Sequence, residues 1–423
     1  MRESRGPWRS LWLMLLVAVA LRLILVGFLY PETYKPRRDF WPFGYETGRI
    51  ARSLASGEGF GNPLFEKTGP TAWMAPVFPI VLAGVFKVFG IYSKASALVI
   101  LSLDSLFSAL TCLPVFYAAR ECFGERAGYY AAWGWAVFPY AIFLSANFVW
   151  ESCLTALLLT ALFAWTLRLS RSENLGSWAG FGALWGLAAL TSPAVLSVFP
   201  VMAGWACYQL DAKRKRWVAP GVICTLALLA SLVPWTVRNY RSFHRLSPLR
   251  DNFWLEVWVG NNGDTSYWAP DSAHPSTSDT ELAEYDRLGE LDYMAKKKAQ
   301  AIAFIGSHPG VFAATSFRRF LYTWTGFWSF APGYLILEPM DPYNVVFCSG
   351  LTVLMLIGLR RAFQEAREMA ILYTLVVVFF PVIYYFTHPA MNYRHVIDPE
   401  IVSLAVLALP RRLWAEEKVA QLW

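Results

Sequence analysis

Apolar runs of about twenty residues dominate the chain, and that is the length a helix needs to cross a bilayer. They fall at 11–30, 96–119, 128–147, 150–170, 176–192, 194–210, 217–236, 343–360 and 369–387. A tenth, 396–414, opens on Asp398, Pro399 and Glu400. Inside lipid a backbone must satisfy its own N–H and C=O groups, so such runs predict helices. The 423 residues would suffice for about three soluble domains, but only 16% are charged, against about 25% in soluble proteins. The expected architecture is an all-α polytopic bundle of about ten transmembrane helices. It divides into an N-terminal core, 1–236, a large loop, 237–342, and C-terminal helices, 343–423.

Lysine and arginine set the orientation. With the N-terminus inside, the inner segments carry seventeen of them, including Arg2, Arg5 and Arg9 and the block Lys213–Arg216. The short outer loops carry only Arg394. That asymmetry predicts both termini inside a cell (inner or plasma) membrane. It also accounts for the net charge of +7 without a nucleic-acid partner. Two outer regions remain, 31–95 and 237–342, and the runs 76–90 and 311–330 within them read as interfacial or re-entrant. Ser278-Asp279-Thr280-Glu281 is a capping box that opens a helical pattern ending at His308-Pro309. The run 11–30 exceeds a signal-peptide core and lacks a small-residue cleavage site, so it is expected to stay in the protein. None of the six cysteines or five histidines has metal-ligand spacing, so no divalent metal is indicated. His244 and His274 read as loop residues, while His308 and His388 precede proline and read as helix ends.

Just after the first run comes a polar island, "FGYETGRIARSLASGEGFGNP", residues 43–63. Ile50, Ala51, Leu54 and Ala55 share one helical side, and Glu46, Arg49, Arg52 and Ser53 the other. Glu46 and Arg49, three apart, share a face, which makes either a surface ion pair or an acid and a base held together for chemistry. Glu151 begins the fourth run, Tyr393 and Arg394 precede the last, and Gly260-Asn261-Asn262 with Arg318 and Arg319 sit in the long loop. These polar groups collect at one depth from distant segments. Glu151 is open to a second reading, as an acid favoured at a helix N-terminus. Arg22 and Asp104 lie at equal depth, roughly 12 Å in, on antiparallel runs, and are expected to form a structural ion pair.

With these residues in place the chain resembles the GT-C glycosyltransferases, in particular the protein O-mannosyltransferase and aminoarabinose-transferase-like branch (glycosyltransferase family 39 type). The resemblance rests on Glu46, Arg49, Ala51, Leu54, Gly57, Gly59 and Phe60, on "GPTAWMAPVFPIVLAGVFKVFG", on Glu151, and on Tyr393, Arg394 and Pro399. It implies transfer of a sugar from a polyprenyl-phosphate donor to a glycan, lipid or protein acceptor, on the outer face and with inversion. Glu46 is then the general base, with Asp39 as its rival because relatives carry Asp in this loop. Glu151 is the second candidate acid, holding the acceptor or orienting the base. Arg49, Arg394 and Tyr393 are the donor-phosphate contacts. Relatives carry a basic residue where this chain has Trp73-Met74-Ala75, which leaves Arg52 or Lys67 for that contact. The competing class is a multi-pass transporter or lipid flippase, whose polar sites gather at the midplane in repeated, broken helices. This chain has no internal repeat, and its acids lie at helix ends.

The topology is checked by reporter fusions after Lys215 and within 260–280. They are expected on opposite sides of the membrane, and a common side would refute the ten-crossing arrangement.

Overall fold

All ten apolar runs are helical, and several of their breaks fall at prolines, although Pro234 lies inside an unbroken helix. The computed structural model describes residues 10–33, 43–65, 67–264, 271–327, 329–330, 332, 335 and 341–414. Among these, six helices are long and apolar enough to cross a membrane: Leu11–Phe28, Lys94–Phe123, Ser152–Leu169, Val218–Phe243, Pro342–Glu365 and Arg367–Phe386. The other four runs are shorter or divided. Leu175–Thr191 has 17 residues. Run 128–147 splits into Glu125–Ala136 and Pro139–Asn147, and run 194–210 into Pro193–Ser197 and Phe199–Ala212. The last run is His395–Ile397 followed by Asp398–Val406. Phe138 and Ser192, each just before a proline, are extended, with ψ of 114° and 105°, because a following proline disfavours the helical region. Pro114 lacks the N–H that Leu110 would accept, and the Lys94–Phe123 span changes helix at Thr111.

Packing follows small residues. Leu175–Thr191 lies against Val218–Phe243. A Cβ at Gly182 would overlap the Cys224 carbonyl, and one at Gly186 the Ser231 side chain. Glycines four apart thus let the two backbones meet, the usual device where lipid offers no hydrophobic drive. Behind them Trp178, Phe181, Trp185, Leu159 and Phe163 fill the largest core cluster.

Three local expectations change. The capping box does start a helix, Asp279–Leu288, with Ser278 Oγ accepting from Glu281 N at 3.4 Å. Gly289, at φ 77°, then ends it, so a second helix, Glu290–Ser307, completes the pattern. The island forms the helix Glu46–Ala55, but its polar side is also covered: Glu46, Arg49 and Ser53 are buried along with Ile50 and Ala51. Ala51 packs in a cluster with Phe78 and Leu82, and Ile50 packs with Trp73, Trp235 and Tyr285. The other side is closed by residues 58–65: Asn62 Nδ2 donates to Ser53 Oγ at 3.0 Å.

The third change is that Arg22 and Asp104 do not pair. Arg22 donates to Ser108 Oγ at 3.0 Å, to the carbonyls of Ala18 and Ala136 at 3.0 and 2.9 Å, and to Trp135 O at 3.3 Å. Neither Asp104 oxygen has a hydrogen-bond partner among the described residues. The reason is side-chain direction. Cα–Cβ bonds lean toward a helix's own N-terminus, so equal depth on antiparallel helices sends the two side chains apart.

The large outer loop is tied to the first outer region by Glu290 and Arg238. Glu290 accepts from Ala72 N at 2.5 Å, from Tyr285 Oη at 2.7 Å and from Thr71 Oγ1. Arg238 donates to Thr71 O at 2.6 Å and to Phe60 O, and Asp251 N donates to Ala72 O at 3.1 Å. The Asp251 carboxyl faces Glu290. Burial first, and then the Glu290 charge, push it well above the usual carboxylate range. Glu290 is raised too, chiefly by burial. Because Glu290 already accepts three hydrogen bonds, Asp251 is the member of the pair held furthest toward the protonated form.

Two measurements follow. Arg22→Met should cost about 1–3 kcal/mol, since it strands buried neutral groups that the guanidinium satisfies, whereas Asp104→Asn should be neutral or stabilising. Exchanging the two residues should not restore stability; thermal unfolding in detergent checks all three. For Asp251 the folded protein holds a proton that the unfolded chain releases. That contribution is greatest at acid pH and is lost as pH rises toward the raised folded value. The Tm of Asp251→Asn relative to wild type should therefore increase between about pH 5 and pH 8, and a constant difference would remove that proton.

Candidate active site

A cavity of about 730 Å³ opens where the helices end, lined by Tyr45 and Glu46, Trp73 and Met74, Trp150 to Ser152, Arg250, Asn252, Phe253 and Glu256, and Tyr384, His388 and Tyr393 among others. Each of these stretches lies in, or borders, a segment assigned to one side of the membrane by the charge asymmetry. Glu46 is the first residue of its helix. The Tyr45 before it sits at φ 46°, a backbone region costly for a bulky residue, and the turn delivers the carboxylate to the cavity wall. Glu151 precedes Ser152–Leu169, and its carbonyl accepts from Thr155 N and Thr155 Oγ1 at 2.8 and 2.7 Å. Its Oε2 has no hydrogen-bond partner among the described residues. Arg250 is the cation that acts on the Glu151 charge.

The other candidates divide. Tyr393 lines the cavity, and its ring stacks on Tyr384 at 4.6 Å and 8°. Arg49, Arg52 and Arg394 are not among the cavity-lining residues. Arg49 is 1% exposed, with its guanidinium 3.9 Å from the Phe65 ring centroid; it donates to Pro63 O at 3.2 Å and lies 4.0 Å from Glu46 Oε1. It holds the helix to its own loop and braces Glu46 from behind. Arg394 is buried against Asp398 Oδ1 at 3.1 Å and Thr323 O at 3.3 Å. Arg52 is half-buried on the outer turn of the island helix, and Lys67 pairs with Glu58 at 2.6 Å. Arg319 donates to the Gly260 carbonyl and to Asn261 Oδ1 at 3.2 Å, so that group binds elements together. Asp39 lies outside the described residues.

A polar string along the wall was not anticipated. Arg250 Nε donates to Asn252 Oδ1 at 2.8 Å, and Asn252 Nδ2 donates to Glu256 Oε1 at 2.7 Å. Glu256 Oε2 faces His388 Nδ1 at 3.6 Å, and His388 Nε2 meets Tyr393 Oη at 3.2 Å. All five side chains line the cavity. Arg250 and Glu256 flank an ordinary apolar helix start in a long loop, so no local pattern marks them. His388 carries a usable signal, since it begins the same "HPAMNYR" stretch as Tyr393, but the adjacent proline favours reading it as a helix end.

Residues 73–236 match the family model described as dolichyl-phosphate-mannose-protein mannosyltransferase. The matched segment includes Trp73, Met74 and Glu151 of the cavity. The fold is similar to that of the Archaeoglobus fulgidus oligosaccharyltransferase in the apo form, with a TM-score of 0.55 at 14% identity over 96% of this chain and 51% of that one. It is also similar to the same organism's oligosaccharyltransferase AglB in complex with an inhibitory peptide and a dolichol-phosphate (TM-score 0.54, 13% identity, 96% of this chain, 50% of that one). A looser likeness is to ArnT from Cupriavidus metallidurans bound to undecaprenyl phosphate, with a TM-score of 0.36 at 13% identity over 94% of this chain and 77% of that one, too low to carry weight. The chain spans about half the length of the oligosaccharyltransferases it matches. No curated protein matches it significantly. The described residues form a helical membrane protein that shares the fold of the Archaeoglobus fulgidus oligosaccharyltransferase, and residues 73–236 match the mannosyltransferase family model.

Proposed function

We propose that the chain transfers a sugar from a polyprenyl-phosphate donor to an acceptor hydroxyl, with inversion, on the outer face of a cell membrane. The observation that carries this reading is one cavity, at the ends of apolar helices, that presents carboxylates and a guanidinium together: Glu46, Glu151 and Arg250. A lipid-linked phosphate lies at that level while its tail stays among the helices. The match to a mannosyltransferase family and the dolichol-phosphate named with the oligosaccharyltransferase support the same substrate class.

Glu46 takes the proton of the acceptor hydroxyl, which is a poor nucleophile until a carboxylate within hydrogen-bond reach accepts that proton. The acceptor oxygen bonds to the anomeric carbon as the bond to the phosphate oxygen breaks, and the electron pair leaves with the phosphate. Arg250 faces that growing charge with a planar guanidinium suited to phosphate oxygens, and a fixed cation in a partly dry site stabilises it strongly. The phosphate contact thus moves from Arg49 to Arg250, and Arg49 holds Glu46 in place. Glu151, with its free Oε2, takes a hydroxyl of the acceptor or the sugar.

Transfer from radiolabelled polyprenyl-phosphate sugars, with variants matched for membrane abundance, tests the reading. Glu46→Gln should lower kcat by about 10²–10⁴-fold while leaving polyprenyl-phosphate binding intact. Arg250→Ala should weaken that binding, and Arg250→Lys should restore part of it. Asp39→Asn should matter less than Glu46→Gln. Near-normal transfer by Glu46→Gln would show that the wrong acid has been chosen, and unchanged lipid-phosphate binding by Arg250→Ala would remove the anion site.

A further inference from the structure

The polar string on the cavity wall has a titratable member at its centre. We infer that Glu256, His388 and Tyr393 form a proton-controlled relay that sets whether the Tyr393 hydroxyl accepts or donates a hydrogen bond inside the cavity. The inference rests on the transferase reading for its substrate, a sugar or acceptor hydroxyl, and on geometry for its operation.

The imidazole has two neighbours on the string and one nitrogen for each. Nδ1 lies 3.6 Å from Glu256 Oε2, beyond hydrogen-bond reach but within reach of the carboxylate charge, and Nε2 lies 3.2 Å from Tyr393 Oη. Glu256 is itself held by Asn252 at 2.7 Å, and Asn252 by Arg250 at 2.8 Å. Stacking of Tyr393 on Tyr384 holds the phenol ring on the cavity wall, with its hydroxyl beside His388. When the imidazole is neutral, with its proton on Nδ1 toward Glu256, Nε2 is an acceptor. Tyr393 then donates to it, and the phenol's lone pairs face the cavity, where they accept from a ligand hydroxyl. When the imidazole is protonated, Nε2–H donates to Tyr393 Oη, and the phenol's hydrogen swings into the cavity. A ligand hydroxyl that had donated to Tyr393 then loses its acceptor. No bond other than a hydrogen bond changes, and the proton enters from solvent.

The groups around His388 decide which state prevails. Burial lowers its proton affinity; the Glu256 carboxylate raises it, and Arg319, His274 and Arg250 lower it. The net direction is below the ordinary imidazole value, so the neutral, accepting state holds at neutral pH. As pH falls through the His388 value the phenol reverses, which predicts an acid limb in kcat/KM. Removing the Glu256 charge makes the imidazole harder to protonate, so the limb moves to lower pH. His388 acts through Tyr393 and is a positioning residue.

The full chain in nanodiscs carries the test. Turnover of radiolabelled polyprenyl-phosphate sugars, dolichyl-phosphate mannose among them, is measured against pH in wild type, Glu256→Gln, His388→Gln and Tyr393→Phe, while 13C-labelled imidazole resonances are titrated in parallel by NMR. Glu256→Gln should shift both the acid limb and the His388 resonance about one pH unit lower. His388→Gln should abolish the limb. Tyr393→Phe should raise KM more than it lowers kcat, because it removes a ligand contact. If His388→Gln fails to accumulate, Glu256→Gln decides alone. A His388 resonance that moves with Glu256 in a chain that turns over no lipid-linked sugar would sink the transferase reading and keep the relay. Turnover whose acid limb ignores both substitutions, with a His388 resonance indifferent to Glu256, would overturn the relay and leave the transferase reading standing.

Discussion

A backbone in hydrocarbon has no water to satisfy it, so each helix that stops must find partners for the groups it frees. That requirement organises the cavity. Where the helices end, side chains take over the freed carbonyls. Asn261 Nδ2 donates to Phe386 O, at the end of Val382–Phe386, at 2.8 Å. Arg319 binds the Gly260 and Tyr385 carbonyls. A region where helices end at one level is thus crowded with fixed polar groups, and a cavity there is lined by them.

The same requirement explains how the cations are used. Arg22, Arg238 and Arg319 all donate to main-chain carbonyls from sequence-distant elements. A guanidinium suits this role, since it carries five donors and no acceptor. Burying a charge without hydrogen bonds is expensive, and these bonds offset the cost while joining elements. With those arginines committed to carbonyls, Glu46, Glu151 and Glu256 remain on the cavity wall, and Arg250 is the one arginine among its described lining residues. The carbonyls that Arg238 binds belong to the strip that Glu290 fixes from the other side, so wall residues Trp73 and Arg250 are held by one buried network.

The helical bundle was legible because a run of twenty apolar residues has few alternatives in lipid, but the breaks within runs were not, since Pro139 and Pro193 follow breaks while Pro234 sits inside an unbroken helix. Glu151 and Tyr393 could be nominated because each sits at the end of a run, where a polar side chain has little to do for the core, and Glu46 because it shares a helix face with Arg49 in the polar island. Arg49 and Arg394 looked equivalent to them by position, yet they turn away from the cavity, because helix azimuth and loop packing are invisible in a one-dimensional pattern. Arg22 and Asp104 failed for a related reason: depth can be counted along the chain, but side-chain direction reverses between antiparallel helices.

The sequence by itself determined the membrane bundle, its polar level and the identity of several wall residues, since these follow from length, charge asymmetry and local spacing. Only the tertiary structure decided that Arg250, Asn252, Glu256, His388 and Tyr393 form one string. Those residues come from a loop, a short helix and two turns over one hundred residues apart. Their hydrogen bonds depend on angles and distances of a few ångströms that helix packing sets, and no spacing along the chain encodes them.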